Sequence, residues 1–136
     1  MANKKIEDVE DIGPAIGAKL KAVGVKDTDG LLERCKTPAG RKSLAKDSGL
    51  TDKQVLKFAN MVDLYRISGV GSEYAELLEA AGVDTVPELA RRRPDNLATA
   101  MAELNEKKKL VRRAPTESEV GKWVEQAKKL PRVLEY

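Results

Sequence analysis

Residues 9–25, VEDIGPAIGAKLKAVGV, lie over residues 67–83, ISGVGSEYAELLEAAGV, without a gap at an offset of 58. Val9 falls on Ile67, Ile12 on Val70, Gly13 on Gly71, Leu20 on Leu78, Ala22 on Ala80, Gly24 on Gly82 and Val25 on Val83. Further on, TDKQVLKFA at 51–59 lies over TESEVGKWV at 116–124 at an offset of 65, with Phe58 over Trp123. The second copy therefore carries seven extra residues in its middle, a stretch that includes Lys107, Lys108 and Lys109. A repeated unit of this size commits the chain to two related pieces. We divide it at 1–65 and 66–136. The whole, 136 residues, is long enough to bury roughly two thirds of its unfolded surface without staples.

Each piece reads as helical throughout. Leu20 and Val23, then Leu77, Leu78 and Ala81, keep the spacing of an apolar helix stripe, and Val55, Phe58, Ala59 and Val62 make another that Val120, Trp123, Val124 and Ala127 repeat. Thr51 with Gln54, Thr85 with Glu88 and Thr116 with Glu119 fit the capping box. Thr37-Pro38 supplies a cap and a first helical proline, and Gly24, Gly49 and Gly82 stand where helices stop. The expected helices are 14–23, 28–36, 38–48, 52–65, 72–81, 86–92, 95–109 and 117–129. No stretch alternates long enough for a strand.

The order helix, Gly-Val-Gly turn, helix, closing glycine resembles the helix-hairpin-helix motif, which SGVGSEYAELLEAAG matches closely. The full layout also resembles a family of small bacterial proteins built from such repeats and known as a domain of unknown function. The fold this implies is all-α, two tandem helix-hairpin-helix repeats packed as one SAM-like unit. In proteins with the motif, the turn presents backbone N–H groups to a DNA phosphate, often with a monovalent cation held by nearby carbonyls, and binding ignores base sequence. Carried over by position, this assigns phosphate contact to Gly69, Val70, Gly71 and Ser72, and more weakly to Ile12 and Gly13; a cation would sit at Gly69–Gly71.

Physically such contact needs no special side chain, because free N–H groups and the helix dipole supply the attraction. The first copy departs from the pattern. Asp11 occupies the place of the first glycine, with Asp8 and Glu10 beside it, so that turn is expected to be structural. After the second turn come Glu73 and Glu76, where bases would reinforce binding. Net charge is only +3, from 25 basic and 22 acidic side chains, so distribution matters more than total. Between Arg91 and Arg113 lie Arg91, Arg92, Arg93, Lys107, Lys108, Lys109, Arg112 and Arg113 against Asp95, Glu103 and Glu106, a local net of +5. If these cations converge in space they add a positive field for a nucleic-acid backbone; as helix-end charges they are also self-sufficient.

Several classes are disfavoured. There is no histidine, one cysteine and no phosphate-loop or dinucleotide fingerprint, so neither catalysis nor a protein-held metal site is expected. Aromatics are 4% of the chain, too few to stack single strands. Trp123 is expected in the core opposite Phe58, Cys35 as a small apolar filler, and Tyr65 and Tyr74 as packing around the second turn. With no apolar run of membrane length and no secretory start, the expected location is cytoplasmic, with no membrane and no small-molecule substrate. Two functions fit: a non-catalytic, sequence-independent module for double-stranded DNA or another nucleic-acid backbone, or a module that docks a protein partner.

Overall fold

The structure, a computed structural model, describes residues 3–9 and 11–136. Its described residues form helices and no strand. In order they are α1 (Gly13–Ala22), α2 (Thr28–Arg34), α3 (Pro38–Ser48), α4 (Asp52–Leu64), α5 (Ser72–Ala80), α6 (Val86–Ala90), α7 (Pro94–Lys108) and α8 (Glu117–Lys129), with a 3₁₀ turn at Ile6–Asp8 ahead of α1.

The helix ends follow local chemistry. Thr51 and Gln54 bond reciprocally, the Thr51 N–H donating to Gln54 Oε1 at 3.0 Å and the Gln54 N–H to Thr51 Oγ1 at 3.1 Å. Thr116 and Glu119 form the same box at α8. Thr85 does not: its hydroxyl bonds the Glu88 carboxylate at 3.2 Å and takes no backbone N–H. Asp27 caps α2 by accepting the Gly30 N–H at 2.8 Å, and Thr37 caps α3 through Gly40 at 3.0 Å.

The C-terminal stops of α1 and α5 are the same structure. After α1, the Gly24 N–H donates to Lys21 O and the Val25 N–H to Leu20 O, both at 3.0 Å. After α5, the Gly82 N–H donates to Glu79 O and the Val83 N–H to Leu78 O, both at 2.9 Å. This pair of hydrogen bonds requires a left-handed residue, and Gly24 and Gly82 both have φ 91°. An arginine completes each stop: Arg34 donates to Val23 O at 3.4 Å and Arg92 to Ala81 O at 3.2 Å.

The chain divides into two compact units, one of the described residues up to Asp63 together with Val133–Tyr136, the other Leu64–Arg132. In the first, Ile6, Leu20, Leu31 and Leu44 are fully buried, and the α4 stripe Val55, Phe58, Ala59 and Val62 is buried as its spacing predicts. Cys35 is buried as well, and burial pushes its thiol up to about 11, partly offset by Arg41 and Arg34. At the end of the chain, Val133–Tyr136 counts with the first unit. Backbone hydrogen bonding explains this. The Glu135 N–H donates to Lys36 O at 2.7 Å, and the guanidinium of buried Arg41 bridges Cys35 O at 2.9 Å and Glu135 O at 2.7 Å. Arg41 also lies 5.1 Å from the centre of the Tyr136 ring, whose hydroxyl donates to Asn60.

In the second unit, Ile67, Leu77, Leu78, Leu89, Leu97 and Met101 are fully buried. Helix α8 packs on α6 and α7, and α5 packs on α7. Val120, Trp123, Val124 and Ala127 are the buried stripe of α8, so Trp123 is in the core as expected.

Candidate nucleic-acid interface

The two glycines of the second turn do different jobs. Gly69 has φ 94°, where a side chain is strained, and a Cβ there would stand 3.1 Å from Trp123 Nε1. It is needed for packing. Gly71 is extended, with φ −102° and ψ −166°, and a Cβ there would meet nothing within 4 Å. The backbone donors are divided as well. The Val70 N–H is consumed by Ile67 O at 3.1 Å, and Val70 itself is buried. The N–H groups of Gly71, Ser72 and Glu73, at the open end of α5, have no acceptor among the described residues, since Gly71 supplies no side-chain cap.

The side chains around this turn hold its shape. The Tyr65 and Ser72 hydroxyls bond at 2.7 Å. Tyr74 packs on Trp123 with ring centres 5.2 Å apart and donates to Arg113 O at 3.1 Å. From α8, Gln126 clasps Ser68 on both sides: its Oε1 accepts the Ser68 N–H at 2.9 Å and its Nε2 donates to Ser68 O at 3.3 Å. A monovalent cation at the turn would share the Ile67 and Ser68 carbonyls with donors already on them.

The first turn is closed. The N–H groups of Ile12 and Gly13 both donate to Val9 O, at 2.9 and 3.1 Å. Ile12 is buried, and Gly13 rather than residue 11 takes the positive φ, 66°. Glu7 is ion-paired to Lys21, whose hydrogen bond holds the carboxyl below its ordinary range. Glu10, counted with the surrounding acids, lies outside the described residues. A phosphate would find the Ile12 and Gly13 donors spent and negative charge beside them.

The basic residues split into separate groups. Arg91, Arg92 and Arg93 precede α7, while Lys107 and Lys108 end it and Lys109 caps it. Fifteen residues of helix set these groups roughly 20 Å apart along the axis, so they do not converge on one spot. Arg92 is committed to Ala81 O. Arg93 pairs with Asp95 at 3.0 Å. Arg113 grips Glu119 with both nitrogens, at 2.7 and 3.2 Å. Arg91, Arg112 and Lys107 to Lys109 are exposed, Lys109 in a left-handed conformation with φ 52°.

Two exposed cations that pattern reading missed are Lys122 and Lys129, on the helix face that carries Gln126. Single lysines spaced along a helix carry no sequence signal beside the apolar stripe of α8. Lys122 lines a shallow groove with Pro94, Ser118, Gly121, Glu125 and Gln126.

The Arg113 hydrogen bond holds the Glu119 carboxyl down at about 2 against an ordinary 4.5, helped by the Thr116 N–H. A carboxyl whose folded value is depressed contributes stability above its unfolded value and loses it as pH falls. Denaturant midpoints should therefore fall between about pH 4.5 and about pH 2. Glu119→Gln should flatten that limb of the midpoint-against-pH curve; an unchanged limb would show that Glu119 does not set it.

Among the described residues, no helix is long and apolar enough to cross a membrane, and no group of three or more His, Cys, Asp or Glu is placed to hold a metal ion. No curated protein and no solved structure matches the chain. The domain of unknown function DUF4332 matches residues 10–130, nearly the full length, with both turns and all of α8 inside the match; the chain belongs to that family.

Proposed function

We propose that this is a non-catalytic module that binds nucleic acid without regard to base sequence, duplex DNA first, by offering backbone N–H groups of the second turn to a phosphate in the manner of the helix-hairpin-helix units its sequence resembles. The observation that carries the reading is the contrast between the turns. The first spends the Gly13 N–H on Val9 O and has a proline, without an N–H, at the next position, while the second leaves the N–H groups of Gly71 and Ser72, with that of Glu73, without an acceptor beside a glycine that opens the approach. A helix N-terminus carries about half a positive charge, and unsatisfied donors there favour an anion. Glu73 works against it. Affinity is therefore expected in the micromolar range typical of non-specific binding.

Anisotropy of a labelled duplex of about 20 base pairs should report binding that falls steeply between roughly 50 and 200 mM salt. Absence of binding even at low salt would sink the proposal. Gly71→Ala should keep the fold, because the added methyl group meets nothing within 4 Å. It should weaken duplex binding about tenfold by blocking the approach to one charge-assisted hydrogen bond. Unchanged affinity would remove the turn from the mechanism.

The rival reading, a protein-docking module, draws on the exposed large apolar side chains Leu56 and Tyr136, 37% and 57% exposed. The Tyr136 hydroxyl bonds Asn60, one turn along α4 from Leu56. Two side chains fall short of the several hundred Å² that mark an apolar interface, so the nucleic-acid reading is preferred.

A further inference from the structure

We infer that the cations completing the phosphate-binding surface come from α8, through Lys122 and Lys129, and not from the Lys107–Lys109 run that dominates the sequence. The inference rests on the reading of the second turn given above. Its basis is the clasp at Gln126, whose two hydrogen bonds to Ser68, at 2.9 and 3.3 Å, fix α8 against the turn at that residue. Lys122 stands four residues before Gln126 and Lys129 three after, so all three share one helix face. Both lysines are exposed, with no ion pair among the described residues. The acid between them, Glu125, is engaged by Lys128 at 3.6 Å. Glu73, in the first turn of α5, is an exposed acid at the open donors.

Lys107 and Lys108 are placed differently. Pro94, the first residue of α7, lines with Gly121 of α8 the groove that Lys122 and Gln126 also line, and a Cβ at Gly121 would stand 3.9 Å from Pro94. The two lysines therefore stand at the opposite end of α7, roughly 20 Å of helix away.

The partner's form follows from the same face. Seven helical steps along α8 separate the two lysines by about 10 Å, the axial rise of about three phosphates on one strand. Trp123 is buried and the Tyr74 ring packs on it, so the turn has no open ring on which bare bases could stack. The surface fits the backbone of a duplex and ignores its bases.

Salt titrations of a labelled duplex of about 20 base pairs test this on the full chain. Each lysine removed from a phosphate should lower the slope of log K against log salt by about 0.9. Lys122→Gln with Lys129→Gln should therefore reduce it by nearly 2 relative to the wild type, while Lys107→Gln, Lys108→Gln and Lys109→Gln together should leave it unchanged. A wild type that binds, with the slope lost in the triple variant and kept in the double, would overturn the inference and leave the turn standing. Tighter binding to a single strand of the same length would overturn the assignment to a duplex. A wild type that binds neither form would remove both the turn and this surface.

Discussion

Trp123→Ala should destabilise the Leu64–Arg132 unit by about 3–5 kcal/mol, the range for removing a buried tryptophan. The indole is 4% exposed, lies 3.1 Å from where a Gly69 side chain would begin and carries the Tyr74 ring. Its loss leaves a cavity under the turn as well as in the α8 stripe, which argues for the upper part of the range. Because it is the one tryptophan, unfolding must be followed by circular dichroism in urea. A loss below about 1 kcal/mol would mean that the turn and α8 close around the gap, contrary to the close packing of protein interiors.

Gly40→Ala should cost about 2 kcal/mol, opposite in sign to the usual effect of replacing a helical glycine. The propensity gain is about 1 kcal/mol, but a Cβ at Gly40 would stand 2.4 Å from Arg34 O and 3.3 Å from Thr37 Oγ1. The first obstacle is backbone at the end of α2 and cannot swing away, so the overpacking cost is taken near 3 kcal/mol and exceeds the gain. A variant with a raised melting temperature would show that α2 and α3 slide apart freely.

The helices were legible because their ends are written locally, as threonine caps and C-terminal glycines within four residues of what they satisfy. Thr85 shows the limit of that reading: the same Thr-x-x-Glu letters yield a bond between two side chains. The turns show another limit. Gly69 and Gly71 are the same residue two positions apart, yet one is held by Trp123 and the other stands open, a distinction made by a residue more than fifty positions away. The basic run was legible as charge but not as a surface, because whether two groups converge depends on the length and course of the helix between them. Lys122 and Lys129 gained meaning only once the Gln126 clasp related α8 to Ser68.

The C-terminal segment was the least legible part, since its defining bond, Arg41 to Glu135 O, joins residues 94 apart. Its docking bears on the order in which a growing chain becomes a folded one. The Leu64–Arg132 unit has every residue of its core once Arg132 has been made. The unit that begins the chain still lacks Leu134, 2% exposed in the finished protein, and the carbonyl that half satisfies Arg41. The unit synthesised first is thus the one completed last. A gene cut after Asp63 would leave the buried Arg41 guanidinium with Cys35 O alone, whereas a circular permutant that carries Val133–Tyr136 into the first segment would keep both of its bonds.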